Sequence, residues 1–113
     1  MPPVEKEVWQ LLHDIETGKR PISKEKPSDG RSYIALHYGE VNYTCEDGWR
    51  FTVFYDCGEW DFFTRFVTPE GDELWRSEFP EALKNYKPPE EIRKSIYGEP
   101  GYLSRWLNRE TEG

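Results

Sequence analysis

The 113-residue chain has no apolar stretch near the 18 or so residues that a transmembrane helix needs. Its first ten residues, MPPVEKEVWQ, lack the basic start and the apolar segment of a secretory signal. Cysteine is scarce, and the two cysteines of a chain without an export signal are expected to be reduced thiols. These absences predict a cytoplasmic protein that does not enter a membrane.

Basic residues are outnumbered, with 15 Lys and Arg against 22 Asp and Glu and a net charge of −7. Residues 31–86 hold most of the excess, with eleven acids and five bases, whereas residues 87–113 hold five of each. Such a surface repels phosphate backbones, so nucleic-acid binding is not expected. It would attract a basic protein partner, although acidic charge also serves solubility alone.

The spacing of the two cysteines argues against a disulfide. If residues 46–48, EDG, close a three-residue hairpin loop, Cys45 faces Trp49 across it. Cys57 then lies eight residues farther along its strand, roughly 26 Å from the loop at about 3.3 Å per residue. Since a disulfide needs Cα atoms within about 7 Å, Cys45 and Cys57 are not expected to bond or to share a metal ion.

The same register places His37 opposite Cys57. A thiol beside an imidazole is a nucleophile pattern, so an enzyme or a small-molecule-binding domain using Asp56, Cys57 and His37 is an alternative interpretation. The sequence shows no third orienting residue and no oxyanion loop, and a loop one residue shorter would put Tyr38 in place of His37. We favour the interpretation of Cys57 as a small buried apolar residue, and no catalytic residue is assigned.

The N-terminal pattern predicts an amphipathic helix. Pro2 and Pro3 suit a helix start, and Gly18 suits its end. The apolar residues between them recur at spacings of three and four: Val4, Val8, Leu11, Leu12 and Ile15. His13 is expected on the exposed flank of this helix. Residues 18–32, with two Pro and two Gly, are interpreted as a mobile polar loop.

Residues 33–76 predict an antiparallel meander. Alternating patterns at 41–45, 49–55 and 60–67 indicate half-buried strands, and 73–76 indicates a short fourth strand. Turns are expected at 46–48, at Gly58 and at 68–72. Short helical segments are expected within 79–89, 89–98 and 99–108. The order predicts an α+β fold in one domain over 1–113: an N-terminal helix, a three- to four-stranded antiparallel meander and short C-terminal helices.

Aromatic residues are abundant, at 16% of the chain. Each ring removes on the order of 150–250 Å² from water when buried, so we expect a small core of large rings. Some rings are expected to reach the surface, where they suit protein recognition, a ligand pocket or a homodimer contact. The candidates are Trp49, Trp60, Trp75, Tyr97, Tyr102 and Trp106. The predicted core is Val8, Leu11, Leu12, Ile15, Val41, Trp49 or Phe51, Val53, Phe62, Phe66, Ile92, Ile96 and Leu107.

The stretch FYDCGEWD, residues 54–61, is the strongest candidate site. Its three carboxylates could bind a divalent cation, but Trp60 interrupts them and no full calcium-loop pattern is present. We favour the interpretation that Asp56 caps the turn at Gly58. Glu59 and Asp61 then lie on the solvent face with Arg65 as their partner. No metal site and no cofactor are predicted. The predicted binding residues are Asp56, Cys57, Glu59, Trp60, Asp61, Trp75 and Trp106.

Residues 39–61 and 68–75 resemble a family of short bacterial hypothetical proteins of unknown function. The shared pattern is Gly-x-Val, Gly-Trp-Arg-x-Thr-x-Phe, Asp-Cys, Asp and Pro-x-Gly. The matching positions are Gly39, Val41, Gly48, Trp49, Arg50, Thr52, Phe54, Asp56, Cys57, Asp61, Pro69 and Gly71. The resemblance implies a cytoplasmic bacterial domain and adds weight to Asp56 and Cys57, but it brings no assigned activity.

The sequence therefore favours a non-enzymatic protein-interaction domain, of the inhibitor or immunity kind, that binds a basic protein partner. The alternatives are the enzyme or ligand-binding domain described above and a homodimer that forms through exposed aromatic rings.

Overall fold

The computed structural model describes residues 5–24, 38–56 and 59–99. Within these residues, five antiparallel strands form one sheet in the order β1-β2-β3-β4-β5. The elements are helix α1 (Glu5–Glu16), strands β1 (Ile22–Lys24), β2 (Tyr38–Cys45), β3 (Arg50–Asp56), β4 (Glu59–Val67) and β5 (Glu73–Trp75), a 3₁₀ turn (Arg76–Glu78) and helices α2 (Glu81–Lys84) and α3 (Glu90–Ser95). The predicted α+β fold and meander are confirmed, with five strands in place of three or four.

Helix α1 forms as its periodicity predicts. Glu5 and Glu7 lie in the first turn, where their negative charge interacts favourably with the helix dipole. Gly18 ends the helix with φ of 82°, a left-handed conformation in which glycine has no steric penalty. The buried face consists of Val8, Leu11, Leu12 and Ile15, and His13 is exposed. Val4 lies outside the described residues.

Strand β1 corrects the prediction of a loop over 18–32. Ile22 pairs with Cys45 and Lys24 pairs with Tyr43, in antiparallel register. The open edge of β2 supplies backbone donors and acceptors for this short polar segment. The local sequence of β1 does not indicate that β2 is its partner. The rest of the predicted loop, 25–32, lies outside the described residues.

The hairpin between β2 and β3 has the predicted register. The backbone N–H of Cys45 donates to the carbonyl of Trp49 across the loop, at 2.8 Å. Val41 pairs with Val53, and the ladder continues to the pairing of residues 38 and 56. Gly48 closes the loop with φ of 102°. A Cβ atom at this glycine would lie 3.0 Å from the Cβ of Pro69, so the two turns at this end of the sheet are in contact.

Replacing Gly48 by alanine is expected to lower the free energy of unfolding by about 1–2 kcal/mol. The positive φ is unfavourable for alanine, and the new methyl group would lie close to Pro69. Gly18→Ala is the matched control, since its φ is also positive and nothing lies within 4 Å of the position that its methyl group would take. Urea unfolding should rank Gly48→Ala as the less stable variant. Equal losses in both variants would show that the contact with Pro69 contributes nothing.

Strand β4 departs from simple alternation. The pairing of β3 with β4 shifts between Thr52 and Val53 and again between Phe54 and Tyr55, as β-bulges do. Each bulge places an extra residue on β4, so the inward positions are Trp60, Phe63 and Phe66, all buried. The prediction of Phe62 in the core is therefore wrong, and Phe62 is half-buried.

The core lies between the inner face of the sheet, α1 and the segment that follows α2. Ile92 and Ile96 are partly buried against it, and Tyr97 is fully buried. The sequence missed several of its rings. The core members outside the predicted set are Tyr43, Cys45, Tyr55, Trp60, Phe63, Leu74, Phe79, Leu83 and Tyr97. Predicted core residue Leu107 lies outside the described residues.

Candidate functional site

The hairpin between β3 and β4 carries three exposed carboxylates. Asp56 pairs with Glu59, which leaves only residues 57 and 58 between the strands. Asp56, Glu59 and Asp61 are all exposed, which agrees with the prediction of a solvent face for Glu59 and Asp61. The predicted cap by Asp56 involves Gly58, which lies outside the described residues. Within the described residues, none of the three makes a hydrogen bond or an ion pair with another side chain. We call this group the acidic hairpin.

The described residues contain no candidate metal site. Among them, no group of three His, Cys, Asp or Glu residues is placed to hold a metal ion. Cys57 lies outside the described residues, as do His37 and Trp106 of the predicted sets. The observed ladder ends with residue 38 opposite residue 56, so it leaves the pairing of His37 with Cys57 a prediction.

Arg65 does not serve the acidic hairpin. Its Nη1 donates to Glu73 Oε1 at 3.2 Å, and its guanidinium lies 5.3 Å from the centre of the Trp75 ring. Trp75 donates its indole N–H to the other oxygen of Glu73, at 3.0 Å. The prediction of Arg65 as the partner of Glu59 and Asp61 is therefore corrected, because Glu73 on the neighbouring strand is closer to its guanidinium.

Trp75 is the exposed large hydrophobic residue among those described, at 43% exposure. It lies opposite Arg65, four positions along β4 from Asp61 and hence roughly 13 Å from the acidic hairpin. The predicted binding residues thus divide between two places on the sheet.

Trp60 is buried, at 1% exposure, although it follows directly after Glu59. Its ring packs edge-on against Phe63 at 4.8 Å and against Tyr97 at 4.7 Å. The indole N–H of Trp60 has no hydrogen-bond partner among the described residues. Trp60 therefore supports the acidic hairpin from within the core and does not present its ring at the surface.

Glu99 fixes the base of this hairpin, a role that the sequence did not reveal. The backbone N–H of Trp60 donates to Glu99 Oε2 at 2.7 Å, and Arg93 Nε donates to the same oxygen at 3.0 Å. The Glu99 side chain is 3% exposed. Gly98, with φ of 75°, turns the chain after α3 so that Glu99 reaches β4.

Tyrosine hydroxyls form two sets of hydrogen bonds behind the sheet, one around Tyr43 and one around Glu16. Tyr43 donates its single hydroxyl proton to the carbonyl of Tyr97 at 2.7 Å, so it accepts from Tyr55 at 2.5 Å. Glu16 accepts from Tyr86 at 2.5 Å and from Tyr97 at 2.9 Å. Burial and the Glu16 carboxylate raise the pKa of Tyr86 and of Tyr97, so both phenols stay protonated.

A stacked aromatic pair lies beside the acidic hairpin. The rings of Phe54 and Phe62 are 5.3 Å apart and nearly parallel, and both are half-buried. The guanidinium carbon of Arg76 lies 4.1 Å from the centre of the Phe62 ring. The pairing of Phe54 with Phe62 is two positions from that of Asp56 with Glu59, or roughly 7 Å. This pair was not predicted from the sequence, because simple alternation places Phe62 inward.

Cys45 has a free, buried thiol. Burial, with a contribution from the charge of Asp47, raises its pKa to about 11. Arg20 opposes this rise and is itself bonded to Asp47 and Asp14. A thiol with such a pKa is almost wholly protonated near neutral pH and is a poor nucleophile.

No helix in the described part of the chain is long and apolar enough to cross a membrane.

These features define a class: an α+β domain in which an antiparallel meander presents an acidic hairpin and a stacked aromatic pair. More particularly, the chain belongs to the family described as Domain of unknown function (DUF7693), whose sequence model matches residues 4–84. An uncharacterised family is thus confirmed. Comparison with curated proteins gives no match. Comparison with solved structures gives none either. The matched region ends before α3, although Tyr97 and Glu99 belong to the same core.

Proposed function

We propose that this protein is a non-enzymatic interaction domain of the bacterial cytoplasm, of the inhibitor or immunity kind. Its acidic hairpin and the neighbouring pair of Phe54 and Phe62 bind a basic protein partner. The observation that carries the proposal is that three exposed carboxylates lack a cationic partner within the described residues, beside two half-buried rings. The free thiol of Cys45 is consistent with a reducing compartment.

The acidic hairpin is preorganised for binding. Asp56 and Glu59 are held in register by the ladder between β3 and β4, and the bond from Trp60 to Glu99 anchors that ladder to the core. Binding therefore orders little backbone, which reduces its entropic cost. The carboxylates would pair with lysine or arginine head groups, and the rings of Phe54 and Phe62 would pack against the aliphatic stems of those residues.

Neutralising the acidic hairpin is expected to abolish partner binding without unfolding the domain. The variant is Asp56→Asn with Glu59→Gln and Asp61→Asn, which keeps the shape of each side chain. The matched control is Glu46→Gln with Glu70→Gln and Glu91→Gln, which removes three other exposed charges elsewhere. The tagged wild type and the control should retain a basic protein in pull-downs from native lysate, and mass spectrometry should show its loss from the hairpin variant.

Equal recovery of that partner by the hairpin variant and the wild type would contradict the proposal. Light scattering on the same samples tests the homodimer, which the exposure of Trp75 at 43% favours as the second candidate. A mass that doubles with concentration, and that falls to the monomer in Trp75→Ala, would assign the surface around Trp75 to contact with a second copy of this chain.

A further inference from the structure

The outer face of the sheet, opposite α1, contains a notch of about 50 Å³. Side chains from three neighbouring strands line it, because Asn42 pairs with Thr52 and Thr52 pairs with Arg65. Thr44 and Arg50 form the next row. Tyr43 and Phe51 contribute only backbone, since their side chains are buried on the inner face. The lining residues are Asn42, Tyr43, Thr44, Arg50, Phe51, Thr52 and Arg65.

The side-chain groups of this notch that can still form hydrogen bonds are mainly donors. Arg65 Nε donates to Thr52 Oγ1 at 3.4 Å, so the Thr52 hydroxyl gives its own proton to Asn42 Oδ1, at 2.7 Å. That bond occupies the amide oxygen and leaves the Asn42 NH₂ group as a donor. Thr44 adds a hydroxyl, and Arg65 keeps Nη2 after Nη1 binds Glu73.

Arg50 supplies the charge. It is exposed, and it makes no hydrogen bond or ion pair with any residue that the structure describes. The outer face of the sheet also carries carboxylates, but none of them lines the notch. They are Glu40 on β2, Asp56 and Glu59 at the acidic hairpin, and Glu73 on β5. Glu73 neutralises part of the charge on Arg65. The notch therefore has between one and two positive charges in a chain whose net charge is −7.

We propose that this notch binds the phosphoryl group of a phosphate monoester. Its volume exceeds the roughly 10–15 Å³ that one water molecule requires and is suited to one small oxyanion. Donors converge from β2, β3 and β4, which matches three terminal oxygens better than the two of a planar carboxylate. A dianion satisfies both arginines, and guanidinium groups bind phosphoryl oxygens with charge-assisted hydrogen bonds.

The monoester can belong to a small metabolite or to a phosphorylated side chain of a protein, since the recognised group is the same. A phosphodiester carries one negative charge and two ester substituents, so nucleic-acid backbones fit this notch less well. The proposal is independent of the acidic hairpin, because the notch lies at the opposite end of β3, around residues 50–52.

The test is a titration of the ¹⁵N-labelled full chain with phenyl phosphate, followed by NMR at constant ionic strength. We expect saturable shifts at residues 42–44 and 50–52 and at the Nε–Hε signal of Arg65. Arg50→Gln should weaken binding roughly tenfold, since it removes a charge-assisted contact. Asn42→Asp, which keeps the acceptor for Thr52 but adds a negative charge, should weaken it at least as much. Lys87→Gln, at an exposed lysine elsewhere, should leave affinity unchanged.

Three further ligands complete the test. Tighter binding of a phosphoserine peptide than of phenyl phosphate would assign the ligand to a protein, whereas equal binding would assign it to a small molecule. Acetate or dimethyl phosphate binding as tightly as phenyl phosphate would overturn the proposal, as would shifts that never saturate or an Arg50→Gln variant of unchanged affinity. The hairpin variant should bind phenyl phosphate normally, so failure of the interaction proposal and failure of this one are distinguishable.

Discussion

Replacing Glu99 by alanine is expected to lower the free energy of unfolding by about 3 kcal/mol, within the range for breaking a buried ion pair. The Glu99 carboxylate is 3% exposed, and the side chain of Arg93 is 16% exposed. Loss of the Glu99 carboxylate would leave the Arg93 charge partly buried without a counter-charge. It would also leave the backbone N–H of Trp60 without an acceptor. In a chain of this size, the melting temperature should fall by roughly 10 °C.

Glu99→Gln separates the two contributions. The amide oxygen can still accept from the N–H of Trp60, so this variant loses the charge pair alone and should be intermediate in stability. Glu90 is the control, because its ion pair with Lys94 is on the surface of α3 and contributes little. Urea unfolding, monitored by tryptophan fluorescence, measures each loss. A Glu99→Ala variant no less stable than Glu90→Ala would refute the structural role of the pair.

The elements predicted best from the sequence are those whose signal is local. Helix α1 follows from a spacing of three and four, and its end follows from Gly18. The register of β2 with β3 follows from the length of the loop that ends at Gly48, and the pairing of Val41 with Val53 depends on nothing farther away. In both cases the residues that determine the geometry are close together in the sequence.

The predictions that were wrong concern features that depend on distant parts of the chain. β1 forms because β2 has an open edge, and Ile22 lies 23 positions before its partner Cys45. The inward placement of Phe63 depends on bulges where β4 meets β3, and no single strand encodes them. An alternating pattern in a run as aromatic as residues 60–66 does not distinguish its two faces, so one slip exchanged Phe62 with Phe63.

The candidate site was predictable in part. The exposure of Glu59 and Asp61 follows from strand alternation, and the structure agrees. The hydrogen bond that supports the acidic hairpin was not predictable, since Glu99 and Trp60 are 39 positions apart in the sequence. The partner of Arg65 was not predictable either, because it depends on which strand lies beside β4.

Ending the chain after Lys84, where the family match stops, is expected to abolish cooperative folding. The truncation would remove Tyr97, which is fully buried, donates to Glu16 and accepts from Tyr43. It would also remove Tyr86, whose ring packs edge-on against Trp9 at 5.2 Å. The loss of one large buried ring costs about 3–5 kcal/mol, and a domain has roughly 5–15 kcal/mol in total. The loss of the buried Tyr97 ring, the partly buried Tyr86 ring and Glu99 together approaches that total.

A chain ending after Glu99 is the matched control, because it retains each of these contacts and should unfold in one cooperative transition. Circular dichroism during heating compares the two, and hydrogen exchange at β2 and β3 locates the loss. Tyr97→Phe adds a finer step: it keeps the ring and the backbone carbonyl that accepts from Tyr43, and it removes only the bond to Glu16, so its cost should be about 1 kcal/mol. A cooperative transition in the chain ending after Lys84 would show that residues 4–84 fold alone, and that Tyr97 and Glu99 merely cover a core already complete.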